Sequence, residues 1–179
     1  MRIVGGKYRS RVLVGFEKIG VRPTSDMARE SLFNILQNVI GGARFLDLFS
    51  GSGAMGIEAL SRGASRVVFN DYSRESVALI KQNLKKLGVS EDYSVVNFDA
   101  LSYLKRTSEQ FDIIYIDPPY KSELGELAVL ESGRVLSDNG VVILESETPF
   151  TGEIKGFKVT DQRKYGRARL TFFKKEEKQ

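Results

Sequence analysis

Short apolar runs alternate with amphipathic stretches along this chain, and this rhythm constrains the fold more than any other feature. Five runs have the length and composition of buried strands, and they cover 45–49, 66–71, 93–97, 111–116 and 140–145. Helical spacing of apolar residues predicts helices over 26–39, 54–62, 74–87, 101–105 and 123–136. Strands that alternate with helices in this way form a parallel sheet with helices on both faces. Two last runs, 157–162 and 168–173, predict a closing hairpin.

The chain has 179 residues, which is enough for one well-buried domain and too few for two. We therefore expect a single domain over 1–179, in which residues 1–25 form a basic hairpin and loop extension. The sequence contains no run of apolar residues long enough to span a bilayer, and its first residues do not form a signal-peptide pattern. The expected state is a cytoplasmic monomer that does not bind membranes.

The run 111–116 stops at Asp117-Pro118-Pro119-Tyr120. Prolines cannot donate to a sheet and they turn the chain out of it. An acid, rigid backbone carbonyls and a flat ring are thus expected at the carboxyl end of a strand, where open α/β sheets bind ligands. This arrangement suits a planar base whose exocyclic amino group needs hydrogen-bond acceptors, with Tyr120 stacked on the base. These four residues are the candidate catalytic residues.

A glycine-rich turn follows the first predicted strand, between Asp47 and Gly56. Glycines there let the backbone approach a ligand closely. The acid ahead of the turn would repel a pyrophosphate but suits a cationic ligand, and further acids follow the next two strands at Asp71 and Asp99. S-adenosylmethionine matches these acids, because it carries a sulfonium with an ammonium, a ribose diol and an adenine. The candidate cofactor-binding residues are Asp47, Phe49, Ser50, Gly51, Ser52, Gly53, Asp71, Tyr72, Asp99, Ala100 and Asp117. The alternative is that each acid only caps the helix that follows it.

Cysteine and histidine are both absent from the sequence. Their absence excludes disulfides, thiolate nucleophiles and zinc–thiolate sites, and it removes the commonest general base and metal ligand. We expect no metal site. Methyl transfer from a sulfonium suits such a chain because it depends mainly on positioning and electrostatics. Acceptors at Asp117 and at the carbonyl of Pro118 would stabilise an amine as it becomes cationic.

The net charge of +4 is distributed unevenly along the chain. Residues 1–29 hold seven Lys or Arg against two acids, residues 153–179 hold nine against four, and the segment between them is net acidic. Basic ends around an acidic body are typical of nucleic-acid binders whose termini meet on one face. An ordinary solvated surface is the alternative interpretation.

Five segments match one bacterial family in the same order: 1–7, 22–26 with 29–34, 46–53, 56–64 and 117–120. On these segments the chain resembles the RsmD-like family, which methylates guanine N2 in small-subunit (16S) ribosomal RNA with S-adenosylmethionine. The resemblance implies a Rossmann-like class I methyltransferase fold. This fold has a seven-stranded, mostly parallel sheet whose last strand is antiparallel, preceded by an N-terminal β-hairpin and a helix. The implied partner is ribosomal RNA or the small-subunit particle.

The resemblance also implies that the N-terminal hairpin and the loop around Arg22 lie near the cofactor and the RNA. Arg22 can bind a phosphate through two hydrogen bonds, and the alternative is an ion pair with Glu30 or a neighbouring acid. The candidate RNA-binding residues are Arg9, Arg11, Arg22 and Thr24. For the closing hairpin at 165–167, edge-strand packing is the expected role, and contact with the substrate is the alternative.

Two other functions remain open on the residues alone. The segment 117–120 is equally compatible with adenine-N6 methylation of DNA or RNA, because that target is also an exocyclic purine amine. A non-catalytic RNA-binding module that retains the cofactor loop is the third possibility. The chain has no additional domain for base readout of the kind that a sequence-specific DNA enzyme needs, which favours RNA.

Overall fold

The computed structural model of the protein describes residues 1–16, 25–119 and 123–177. Its elements in chain order are α1 (Asp26–Ile35), β1 (Arg44–Asp47), α2 (Ala54–Ser61), β2 (Arg66–Asn70), α3 (Arg74–Leu87), β3 (Asp92–Val96), α4 (Ala100–Arg106), β4 (Phe111–Ile116), α5 (Leu124–Ser132), β5 (Leu136–Ser146), β6 (Phe157–Tyr165) and β7 (Ala168–Lys175). Strands and helices alternate as predicted as far as β5.

The strands form one seven-stranded sheet with the order β3-β2-β1-β4-β5-β7-β6. Neighbouring strands from β3 to β5 are parallel, whereas β7 runs antiparallel to both β5 and β6. The predicted mostly parallel sheet with an antiparallel last strand is therefore confirmed. The chain order reverses between β1 and β4, and ligands bind at the carboxyl ends of strands beside such a reversal.

The core lies on both faces of the sheet because side chains alternate along each strand. Phe45 and Ile113 pack on the face that is covered by α1, α2, α3 and the N-terminal extension. Their neighbours Leu46 and Ile114 pack on the opposite face, which α4 and α5 cover. Strands buried on both faces explain why the sequence shows continuous apolar runs there.

Helix α1 is shorter than predicted. Ser25 caps its start by accepting a hydrogen bond from the Ala28 amide, but the helix ends at Ile35 rather than near residue 39. The following residues form a tighter turn that leads into Gly42, whose φ of 76° places it in the left-handed region. Val39 is consequently exposed instead of continuing the apolar face.

Helix α5 also ends early, and β5 begins early. Ser132, the last residue of α5, donates its hydroxyl to the Ala128 carbonyl at 2.7 Å. Leu136 is already paired with Phe111 of β4, and the register then shifts before Ile113 pairs with Val141. The predicted helix over 123–136 therefore includes residues that lead into the strand.

The N-terminal extension reverses direction over residues 2–12, but the predicted hairpin contains one antiparallel bridge, Arg2 with Val12, rather than regular strands. Glu58 of α2 anchors it: the amides of Val4 and Gly5 donate to the two Glu58 carboxylate oxygens at 2.9 and 2.8 Å. Arg29 of α1, which is fully buried, lies 3.5 Å from the same carboxylate. The extension is thus fastened to both helices by a buried charge.

Candidate active site

Acidic residues collect at the carboxyl ends of adjoining strands. Asp47 is the last residue of β1, Asp71 follows β2 and Asp117 follows β4. Because β1 lies between β2 and β4, the structure brings these three acids to one edge of the sheet. Asp99, after β3, lies at the same edge two strands away from β1.

The glycine-rich turn after β1 is held by the neighbouring strand. The Gly51 amide donates to Oδ2 of Asp71 at 2.9 Å, and the second oxygen of Asp71 accepts from the Ser73 amide at 2.8 Å. Gly51 has a φ of 54° and Gly53 a φ of 84°, both in the left-handed region that favours glycine. A Cβ on Gly53 would also approach Ile80 of α3 to 3.2 Å, so this position favours glycine on space as well as on conformation.

The carboxyl group of Asp47 is buried and has a raised pKa. Its Oδ2 accepts from the Gly56 amide at 3.0 Å, while Oδ1 has no hydrogen-bond partner within the described residues. Burial raises the pKa of Asp47 to about 7, the charge of Asp71 adds to this, and the hydrogen bonds from Gly56 and Ser50 oppose it. A cationic group beside Oδ1 would satisfy the oxygen and restore the charged form.

The other predicted cofactor residues surround this point. Ser50 is buried and donates to the Asp47 carbonyl at 2.7 Å. Tyr72 is 80% exposed, whereas Ala100 is buried at the start of α4. Phe49 and Ser52 are half-buried in the turn itself.

Asp99 has a structural contact of its own, because its carboxylate accepts from the Ser102 amide at 2.9 Å and caps α4. For Asp99, the alternative that the acid caps the following helix therefore corresponds to an observed hydrogen bond. Asp71 differs, since Ser73 rather than Asp71 caps α3.

Asp117 is half-buried where β4 ends. Burial raises its pKa well above the usual range, and the nearby carboxylates of Glu145 and Asp47 raise the pKa further. Pro118 and Pro119 follow directly, and Tyr120 lies outside the described residues. Among the described residues, no group of three or more acids is arranged to hold a metal ion.

Glu145 is a site residue that sequence reasoning missed. The β4–β5 register pairs Ile116 with Leu144, so the residues that follow, Asp117 and Glu145, are neighbours. The hydroxyl of the buried Tyr115 donates to the Glu145 carboxylate. Glu145 was visible in the sequence as the acid that ends the fifth predicted strand, 140–145.

Asn83 of α3 is a second residue that the sequence did not indicate. It is fully buried; its side-chain carbonyl accepts from the Val14 amide at 2.8 Å, and its amide donates to the carbonyls of Val14 and Ser52 at 2.9 and 3.0 Å. It thereby ties the extension to the glycine-rich turn. The ring of Phe16, two residues beyond Val14, lies 3.9 Å from the position that a Cβ on Gly51 would occupy.

The turn that carries Arg9 lies away from the acids at the carboxyl ends of the strands. The Tyr8 amide donates to the hydroxyl of Ser61, the last residue of α2, at 2.9 Å. The Tyr8 hydroxyl donates to Glu91, directly ahead of β3, at 2.6 Å. Both anchors lie where strands begin, so Arg9 is at the opposite end of the sheet from Asp117. Arg11 is exposed on the same reversal, and Arg22 and Thr24 lie outside the described residues.

None of the helices in the described ranges has the length and hydropathy needed to cross a bilayer.

Comparison with known proteins agrees with this architecture. A family model described as Conserved hypothetical protein 95 matches residues 1–174. Ribosomal RNA small subunit methyltransferase D of Escherichia coli (strain K12) is 39% identical over 149 residues, which cover 82% of this chain and 75% of that protein. A Bacillus subtilis (strain 168) protein described as a candidate rRNA methyltransferase, YlbH, is 32% identical over 182 residues, which cover 98% of this chain and 99% of that protein.

Among solved structures, an Escherichia coli protein described as a candidate methyltransferase, yhhF, superimposes with a TM-score of 0.87 at 32% identity and covers 98% of both chains. Fold, strand-end acids and sequence similarity lead to the same assignment. The chain belongs to the Conserved hypothetical protein 95 family, the RsmD family of S-adenosylmethionine-dependent methyltransferases.

Proposed function

We propose that the protein methylates the exocyclic N2 of a guanine in small-subunit ribosomal RNA. The names of its relatives in Escherichia coli and Haemophilus influenzae, ribosomal RNA small subunit methyltransferase D, support RNA as the substrate. The choice of guanine rests on two neighbouring carboxylates, those of Asp117 and Glu145 at the ends of β4 and β5.

The residues at the ends of β1 and β2 fit S-adenosylmethionine. Oδ1 of Asp47, which has no hydrogen-bond partner among the described residues, is a buried oxygen that an ammonium or sulfonium would satisfy. Asp71 presents a half-buried carboxylate for ribose hydroxyls, and the backbone at Gly51 permits close approach. When bound, the cofactor supplies an electrophilic methyl group on a sulfonium, which requires neither a thiolate nor an imidazole from the chain.

At the end of β4, Asp117 and the Pro118 carbonyl would accept hydrogen bonds from the target amine. The amine is a poor nucleophile because its lone pair is delocalised into the purine ring. Acceptors beside its N–H groups favour a pyramidal nitrogen and stabilise the positive charge that develops there. The ionised Asp117 can also take the proton that the amine loses. The two prolines fix the backbone that carries these acceptors.

Glu145 adds a second acceptor, and this favours guanine over adenine. The Watson–Crick edge of guanine presents two adjacent donors, N1–H and the N2 amine, whereas that of adenine presents one amine beside an acceptor nitrogen. A flipped base is read through hydrogen bonds at this edge. Two carboxylates side by side complement the two donors of guanine, and one of them would repel the acceptor nitrogen of adenine. Glu145 is proposed to accept from N1–H, while Asp117 accepts from N2.

The substrate and product can be tested together. The protein is incubated with labelled S-adenosylmethionine and small-subunit particles, free ribosomal RNA or duplex DNA, and the labelled product is digested to nucleosides. We expect N2-methylguanosine from an RNA-containing substrate and no label in DNA. N6-methyladenosine as the product would overturn the choice of base, and the absence of any product would support a non-catalytic module.

The rate of methyl transfer should depend on pH through Asp117. Its raised pKa means that the ionised, accepting form is lost as the pH falls through that value, so the rate should rise with pH along an acid limb. Glu145 contributes to the raised pKa, so Glu145→Gln removes a negative charge and should move the acid limb to lower pH. Single-turnover rates measured between about pH 5 and 9 give both profiles.

Glu147→Gln is the matched control for this experiment, because Glu147 is exposed just beyond the end of β5. Its acid limb should coincide with that of the unmodified protein. An acid limb in Glu145→Gln that stays in place or moves to higher pH would contradict the proposed interaction of the two carboxylates.

A further inference from the structure

The β6–β7 hairpin carries basic residues at the edge of the sheet that holds the candidate active site. Because β7 is antiparallel to β5, it begins where β5 ends, and Arg169 pairs with Ser146, directly after Glu145. The turn at Gly166 therefore projects from the carboxyl edge. Two strand spacings, about 10 Å, separate β7 from β4 and its Asp117.

Three cations around this turn have no acidic partner within the described part of the chain. Lys164 and Arg167 are exposed and Arg169 is half-buried. Among the described residues, none of the three makes an ion pair or a side-chain hydrogen bond. Lys164 and Arg169 also face each other directly across the two strands. Like charges in this position destabilise a hairpin, so the arrangement costs stability without any offsetting contact in the described chain.

The far end of the same hairpin is different. Lys158 and Lys174 face each other there as well, but Lys158 has Glu177 at 3.9 Å. Lys175, next to this pair, donates to the Leu136 carbonyl at 2.6 Å. Lys158 and Lys175 at the amino edge thus have partners, whereas Lys164, Arg167 and Arg169 at the carboxyl edge have none in the described part of the chain. The pair beside the active site is therefore the one in which neither cation has a partner among the described residues, and a local rule broken beside an active site points to function.

We propose that Lys164, Arg167 and Arg169 form a phosphate-binding surface, the hairpin-tip surface, which holds the RNA backbone next to the target guanine. This assignment rests on the proposed function only in taking RNA as the partner. A flipped base in the crevice brings its flanking phosphates to the carboxyl edge, and these cations are close to that edge, whereas Arg9 is not. Tyr165 packs against the core at the base of the turn, which fixes the position of the surface.

The test replaces all three cations by glutamine and measures binding of a small-subunit ribosomal RNA transcript at several salt concentrations. We expect affinity at low salt to fall by at least about tenfold, and the slope of log K against log salt to decrease by about 2, since each phosphate contact contributes about 0.7 for single strands. Lys158→Gln with Lys174→Gln, at the far end of the hairpin, is the control and should change neither quantity by as much.

A second variant separates binding from stability. Lys164→Glu would face Arg169 as an ion pair, so the melting temperature should rise or stay constant while RNA affinity falls. An unchanged affinity and salt slope in the triple variant would overturn the proposal, as would equal losses in the control. Cofactor affinity should be the same in all variants. If RNA affinity falls but the unmodified protein produces no N2-methylguanosine, the hairpin-tip surface stands and the proposed function fails.

Discussion

Replacing Asp117 by asparagine is expected to lower the rate of methyl transfer at saturating RNA and cofactor by about 10²–10³-fold, the usual cost of removing one group that stabilises charge in a transition state. The substitution keeps a carbonyl acceptor but removes the negative charge that stabilises the amine as it becomes cationic. It also removes the only proposed proton acceptor in direct contact with N2. Single-turnover kinetics with labelled cofactor measure the effect.

Cofactor affinity distinguishes this role of Asp117 from a role in cofactor binding. Asp117→Asn should bind S-adenosylmethionine within about threefold of the unmodified protein, a free-energy difference below about 1 kcal/mol. Asp138→Asn, at an exposed acid near the start of β5, is the control and should retain full activity. A loss of cofactor binding as large as the loss of rate would show that Asp117 holds the cofactor rather than the target base.

Asp47→Asn is expected to stabilise the free protein and to weaken cofactor binding. In the folded chain the pKa of Asp47 is raised to about 7 from an ordinary 3.8. A raised carboxyl pKa means that stability is full below the unfolded pKa and is lost as the pH rises towards 7, because the folded state disfavours the charged form. Three pKa units correspond to an upper limit of about 4 kcal/mol.

Asparagine removes this charge and can still accept from the Gly56 amide. The free energy of unfolding at pH 8 should therefore increase by about 1–3 kcal/mol, a part of the upper limit, and the gain should disappear near pH 4. Cofactor affinity at pH 8 should fall by about 10- to 100-fold, the value of one charge-assisted hydrogen bond. Thermal melts across this pH range and calorimetric titration measure both effects. Lower stability at pH 8, or unchanged cofactor affinity, would contradict the account of Asp47.

Much of the fold was predictable because it depends on local patterns. Continuous apolar runs such as 111–116 specify strands buried on both faces, and prolines at 118–119 end one of them. The acids at Asp47, Asp71 and Asp117 were predicted to meet because parallel strands place their carboxyl ends at one edge, and the structure brings them together. The same reasoning, applied to the fifth strand, would have found Glu145.

Features that depend on tertiary contacts were not predictable. The position of Arg9 follows from hydrogen bonds between Tyr8 and two residues more than fifty positions away, Ser61 and Glu91. A basic N-terminus was visible in the sequence, but the end of the sheet on which it packs was not. Asn83 lies in the middle of an amphipathic helix, where no capping or turn pattern distinguishes it. That Lys164 faces Arg169, with no acidic partner for either among the described residues, is evident only once the register of β6 and β7 is known.

In the proposed reaction, the carboxylates at the ends of β4 and β5 present the N2 amine of guanine for methylation. Once mapping of labelled RNA fragments has located the modified nucleotide, single-turnover methyl transfer is measured on an RNA that carries inosine there in place of guanosine. Inosine keeps N1–H and the O6 carbonyl but lacks the 2-amino group. This RNA should still bind, with affinity within about tenfold because one hydrogen bond is lost, and no methyl group should be transferred to it. Methylation of the inosine-containing RNA at the normal rate would show that N2 is not the acceptor.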